Sequence, residues 1–396
     1  MRTIGIISEY NPFHSGHRYQ LEELRRTFGP DCAIVCAMSG NWVQRGDVAI
    51  TDKWARAEMA LHGGADLVIE IPTLWAAASA ETFARGGISV LEATGLVDTL
   101  CFGSEAGDVG PLQAVVDCLD SPAWQKRLRH YLDKGLSFPA ARHKATADLI
   151  GEQAECLRHP NNNLGIEYLR AMKDLGSTME PYTIRREGAA HDDAADGDQS
   201  HVSASYLRAH FARRDPSPVT PYMRAEDEIE VRADPAFLTE CERAILAKLR
   251  SMEPEEYAKL PDSGEGLSDR LYAAARQART LEELYDLTKT KRYTHARIRR
   301  MVLWAFLGLT ESDRPDSLPY LRVLGFTNRG QQLLKQMKST ASLPVIVKPA
   351  HADKLPPEAR RIFQLEARST GMYDLCRYFF EREPGKNEYT ENPVRI

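Results

Sequence analysis

Short apolar runs rich in β-branched residues alternate with helical patterns in the first hundred residues, and this alternation constrains the fold more than any other feature. The runs are 3–9 (TIGIISE), 32–38 (CAIVCAM), 67–71 (LVIEI) and, more weakly, 98–103 (DTLCFG). Between them, Leu21, Leu24 and Phe28 fall at i, i+3, i+7, and so do Trp54, Ala57 and Leu61, the spacing of one helix face. Strands that are apolar along their whole length are buried on both faces, and the intervening helices supply the crossovers of parallel β-α-β units. The pattern predicts an α/β fold, a doubly wound parallel sheet, over residues 1–215. After Pro216 and Pro221 the character changes, and residues 216–396 read as a mainly helical region. There Ile298, Met301, Val302, Ala305 and Phe306 form one apolar stripe, with Arg297 and Arg300 off it.

Charge divides the chain unevenly. Residues 287–348 hold twelve Lys or Arg against Glu311, Asp313 and Asp316, a local +9 within a chain of net −5. A basic module on an acidic chain points to a polyanionic partner. Lys291, Arg292, Arg297, Arg299, Arg300, Arg322, Arg329, Lys335 and Lys338 make its expected basic surface, with Tyr293, Tyr320 and Phe326 interleaved as stacking candidates, Tyr320 and Phe326 reading alternatively as core. The seven cysteines are scattered, and Cys32 and Cys36 stand roughly 13 Å apart along a strand, so all read as reduced and structural. No run has the length of a membrane span and no charged-then-apolar leader precedes the first strand, which reads as a cytoplasmic protein. The stretch 187–201, EGAAHDDAADGDQSH, has almost no large apolar residue and is expected to be an acidic loop.

Where the first strand turns into the first helix, the sequence is Asn11-Pro12-Phe13-His14-Ser15-Gly16-His17. A strand followed by a helix N-terminus gathers unpaired N–H groups and the positive end of the helix dipole, a ready phosphate site. Neither a Gly-x-x-x-x-Gly-Lys-Ser/Thr loop nor a Gly-x-Gly-x-x-Gly turn is present here. Two histidines three residues apart at the first helical turn are instead placed to face one phosphate and, as donors, to stabilise charge developing at it; the alternatives are a metal pair and a satisfied structural pair. A metal pair is disfavoured, because no third ligand stands near the turn.

His14-Ser15-Gly16-His17 resembles the His-x-Gly-His signature of nucleotidylyltransferases. SASYLR (203–208) is similar to the Ser-Ser-Thr-x-x-Arg motif that closes those Rossmann-like domains. The blocks EYNPFHSGH, MSGNWVQRGDVAITDKWARAEMAL, GADLVIEIP, CFGSE, PNNNLGIEYLRAM, KRYTHARIRR and LRVLGFTNRG together resemble the bacterial tRNA-Met cytidine acetate ligase family, over most of the chain. The resemblance implies a Rossmann-like, nucleotidylyltransferase-type ATP-binding domain over 1–215 and a basic RNA-binding region over 216–396. It also implies a reaction: ATP activates acetate as acetyl-adenylate, and the acetyl group passes to N4 of the wobble cytidine in the anticodon loop of elongator tRNA-Met.

Carried onto this chain, the resemblance gives His14, His17 and Arg208 the catalytic roles, the histidines at the α-phosphate and Arg208 with a Mg²⁺ ion at the departing pyrophosphate. ATP contacts are expected from Ile7, Glu9, Asn11, Pro12, Phe13, His14, Gly16, His17 and Gln20 around the turn. Gly103, Asn161 or Asn162, and Arg186, with Arg185 a near-equal candidate, complete that set. No metal-ligating side chain is expected, Mg²⁺ riding on phosphates and water. The family's Tyr-His-Asp is Ala190-His191-Asp192 here, which leaves His191 without an assigned role. Gln44, Arg45, Lys53 and Arg56 are candidates for holding acetate or the cytidine, and Lys53 and Arg56 read equally as solvated helix charges. Glu70 and Glu105 are candidate proton acceptors for the cytosine amine. Two rival readings stand beside this one: a nucleotidylyltransferase acting on a small phosphorylated metabolite, and a non-catalytic ATP-binding RNA partner.

Overall fold

The structure is a computed structural model and describes residues 2–186, 202–215, 219–381 and 384–396; the acidic stretch 187–201, with His191, lies outside the described residues. The apolar runs are strands β1 (Thr3–Ser8), β2 (Ala33–Ser39), β3 (Leu67–Ile71) and β4 (Thr99–Ser104), followed by β5 (Glu180–Arg185) and β6 (Leu321–Phe326). They lie in the order β6-β3-β2-β1-β4-β5, and every pairing is parallel except that of β3 with β6. Two-residue strands, Val345–Ile346 and Val394–Arg395, both pair with β6. Alternate residues of β2 feed two cores: Ala33, Val35 and Ala37 face one, and Ile34, Cys36 and Met38 the other. That two-sided burial is why Ala33 to Met38 carry no charged or alternating polar position.

Helices α1 (Ser15–Phe28), α2 (Lys53–His62), α3 (Ala80–Ala93), α4 (Pro160–Leu175) and α5 (Ala204–Ala212) surround the sheet. The chain then runs into helices that include α6 (Leu281–Thr288), α7 (His295–Leu307) and α8 (Pro357–Asp374). The apolar stripe of α7 packs into the same core as α3 and one face of the sheet. The mainly helical C-terminal region therefore is not a separate body: β6 joins the sheet antiparallel to β3, and the sheet crosses the boundary expected at 215/216. Among the described residues, no helix is long and apolar enough to cross a membrane.

A buried ion cluster fastens the two halves. Lys53 Nζ lies 2.7 Å from Glu70 Oε1 and 2.5 Å from Glu388 Oε2, and Arg322 Nε lies 2.9 Å from Glu388 Oε1. Glu366 stands close by, accepting from the Thr73 N–H at 2.7 Å and the Thr73 hydroxyl at 2.8 Å. Three carboxylates against two cations leave one excess negative charge in a dry site, so burial and then Glu70 push the Glu366 carboxyl up to about 8. A proton on Glu366 balances the cluster.

Candidate functional site

The order of strands reverses between β1 and β4, and open α/β sheets bind ligands at the carboxyl edge of such a switch point. At that edge, β1 turns into α1 through a cis Asn11–Pro12 peptide, with Tyr10 in the left-handed region. His14 caps α1: its Nδ1 accepts from the Gly16 N–H at 3.1 Å, while His17 Nδ1 accepts from the His14 N–H at 3.3 Å. With Nδ1 engaged as an acceptor on both rings, the neutral tautomer of each carries its proton on Nε2. The ring centroids are 3.8 Å apart, and Tyr10 and Phe13 pack edgewise and tilted on His17. Burial, then the neighbouring His14 and Arg186, hold the His17 imidazolium well below the usual range. His17 is thus a neutral donor at physiological pH.

The facing wall comes from the ends of β4 and β5. A methyl group on Gly103 would meet Arg186 Cγ at 3.1 Å, so the missing side chain is what lets Arg186 lie across the strand end. Glu105 organises the start of α4: it accepts from the Asn161 N–H at 3.2 Å, the Asn161 amide at 2.7 Å and the Asn162 N–H at 2.8 Å. Asn161 Oδ1 in turn accepts from Arg186 at 3.5 Å, whereas buried Asn162 spends its Oδ1 on the Ala106 N–H at 3.0 Å. Asn161 therefore faces the site with Arg186, and Asn162 braces the loop. Arg185 lies instead against Gly107. Ser203 caps α5, and Arg208 one turn on donates to the Asn11 carbonyl at 2.8 Å and to Ser205 Oγ at 3.1 Å, bringing α5 against the β1 turn.

A family model described as HIGH Nucleotidyl Transferase matches residues 1–388. The tRNA(Met) cytidine acetate ligase of Acetivibrio thermocellus is 37% identical over 415 residues, covering 100% of both chains. The chain belongs to the tRNA(Met) cytidine acetate ligase family. A second relative of that name, from Caldanaerobacter subterraneus subsp. tengcongensis, is 38% identical over 95% of this chain and 96% of its own. The crystal structure of apo Thermotoga maritima TmcAL superposes with a TM-score of 0.93 at 32% identity, covering 100% of both chains. TmcAL from the same organism bound with alpha-thio ATP superposes at 0.91 and 31% identity, over 100% of this chain and 99% of that one.

Other residues of the turn are structural as well as local to the site. Buried Asn11 accepts from the Ile50 N–H through Oδ1 at 2.8 Å, Glu9 Oε1 accepts from the Gln44 N–H at 2.8 Å, and Phe13 fills the space beside Gly63. Ile7 packs on Gly87 of α3, Pro12 is buried, and Gln20 reaches Cys101 Sγ at 3.7 Å.

Several sequence expectations are corrected here. Lys53 and Arg56 are fully buried, neither solvated nor open to acetate: Lys53 belongs to the ion cluster, and Arg56 donates to the carbonyls of Thr51, Glu9, Ser39 and Gly40. Glu70 is held by Lys53, and Glu105 is taken up by the start of α4, so neither stands ready as a proton acceptor. The basic surface is also smaller than its composition. Arg322 is buried on Glu388, Arg300 pairs with Asp262 at 2.7 Å, Arg297 with Glu265 at 2.8 Å, and Arg329 donates to the Cys32 carbonyl at 2.8 Å. Tyr293 and Tyr320 are core. Lys291, Arg292, Lys335 and Lys338 remain exposed.

Proposed function

We infer that this chain is an ATP-dependent ligase that activates acetate as acetyl-adenylate and transfers the acetyl group to N4 of the wobble cytidine of elongator tRNA-Met. The observation that carries the reading is the side-by-side pair of imidazoles whose Nδ1 atoms both accept backbone N–H groups at the carboxyl edge of the sheet, which leaves each Nε2 to donate, in a family whose solved member binds an ATP analogue. In the first step an acetate oxygen forms a bond to the α-phosphorus and the bond to the pyrophosphate oxygen breaks. His14 and His17 donate to the α-phosphate oxygens as charge builds there, and Arg208 compensates the leaving pyrophosphate. Arg186 and Asn161 hold the nucleotide from the β4–β5 side. In the second step the cytosine N4 bonds to the acetyl carbon, AMP leaves with the bonding electron pair, and N4 releases a proton.

Among the described residues there is no group of three or more His, Cys, Asp or Glu that would cage a metal. Mg²⁺ carried on the phosphates and water would supply charge neutralisation there. The test of the first step is exchange of labelled pyrophosphate into ATP. Exchange that requires acetate is expected, and exchange driven only by a small phosphorylated acceptor would replace this reading with a nucleotidylyltransferase.

A further inference from the structure

A cavity of about 1010 Å³ opens between α5, α6, α7 and the segment 235–240, with Arg208 in its wall. It thus adjoins the ATP constellation without using His14 or His17. Its composition is unusual for a structural void. Tyr285, Tyr378 and Phe237 line it, with Arg214 stacked on Tyr378 at 3.9 Å and Arg299 over Tyr285 at 5.4 Å. Tyr285 Oη and Arg299 Nε are buried with no hydrogen-bond partner among the described residues. Neither Arg208, Arg214 nor Arg299 has a carboxylate within ion-pair distance among the described residues. Other arginines of the chain, Arg297 and Arg300 for instance, do.

The hairpin of Trp42–Val43 and Asp47–Val48 turns at Gly46, whose φ is +72° and where a methyl group would stand 2.3 Å from the Arg300 backbone nitrogen. Only glycine lets that hairpin seat against α7, which brings Asp47 to the cavity beside Arg208 and Arg299.

We propose that this cavity seats a splayed nucleotide of the RNA acceptor's loop, its base against Tyr285 and Tyr378 and its phosphate on Arg214 and Arg299. The inference rests on the function given above. Asp47, Glu240, Glu282 and Asp286 line the same space, so a bare phosphate gains little net charge there, whereas a nucleotide adds stacking to the guanidinium contacts. Unpaired guanidiniums beside aromatic faces are the pairing that single-stranded nucleic acid uses.

The test uses the full-length protein and an anticodon stem-loop RNA carrying 5-iodopyrimidines in its loop. Irradiation of the bound RNA is expected to cross-link it to peptides containing Tyr285, Tyr378 or Phe237. Tyr378→Ala is expected to weaken RNA retention about tenfold. Arg214→Gln, at an exposed position, is expected to lower the log–log salt slope by about one. RNA that is retained but cross-links elsewhere or nowhere, or that binds both variants like wild type, overturns the cavity's role and leaves the ligase reading intact. RNA that wild-type protein does not retain overturns the acceptor in both, while acetate-dependent pyrophosphate exchange still reports the first step.

Discussion

His14 and His17 explain why two imidazoles follow one another across a single helical turn. Each uses Nδ1 to satisfy a backbone N–H at the start of α1, which fixes both rings and fixes their tautomers together. His17→Ala is expected to bind ATP within a few-fold of wild type while acetate-dependent pyrophosphate exchange falls about 10²–10³-fold, the loss typical of one preorganised donor. Because burial holds the His17 imidazolium well below the usual range, the ring stays neutral as pH falls through about 6.5. The exchange rate is therefore expected to stay level across that range and to decline only at more acid pH; a decline centred near 6.5 would show that His17 titrates normally. The sequence left Asn161 and Asn162 equivalent, since adjacent amides differ only in direction. Their roles part because Asn162 turns to the Ala106 N–H and Asn161 to Arg186.

Elements were legible where burial is two-sided. β1, β2 and β3 have no polar alternation because helices cover both faces, and continuous apolar runs announce that directly. β6 was hidden for the opposite reason: Arg322, the second residue of LRVLGF, lies inside a basic segment and reads as surface. Its burial depends on Glu388, 66 residues further along. Lys53 was misread in the same way, its partners Glu70 and Glu388 being distant in sequence. The cluster they form has a measurable consequence. Glu366, pushed up to about 8, keeps a proton in the folded chain that an unfolded carboxyl releases near 4.3. The folded state thus binds more protons between those values, and its stability is full below the lower one and is lost as pH rises toward 8. Urea unfolding from pH 5 to 8.5 is expected to show that fall, and Glu366→Gln is expected to flatten it; an equal slope in the variant would place the proton elsewhere.

Across the whole molecule, the +9 of residues 287–348 was visible in composition, but composition does not say which cations are already engaged. Arg300 is, through two contacts to Asp262 at 2.9 and 2.7 Å. Arg300→Ala is accordingly expected to cost about 1–3 kcal/mol of stability and to leave the salt dependence of RNA binding unchanged. Lys291→Gln and Arg292→Gln, both exposed, are each expected to lower the log–log slope by about one. A slope that follows Arg300 instead would reverse that assignment. The joining of β6 to β3 matters here, because it carries the C-terminal helices onto the sheet and sets α7 beside the turn that bears Asp47. The turn that bears His14 and His17 and the cavity beside α7 therefore belong to one continuous fold.

One measurement reads both reactions of the coupled pair. The purified protein is incubated with ATP, Mg²⁺, isotopically labelled acetate and bulk tRNA, and the RNA is digested for nucleoside mass spectrometry. Label in N4-acetylcytidine, dependent on ATP and absent in His17→Ala, is the predicted result. AMP and pyrophosphate formed without any labelled nucleoside would contradict the acceptor, and the absence of acetate-dependent AMP would contradict the activation step itself.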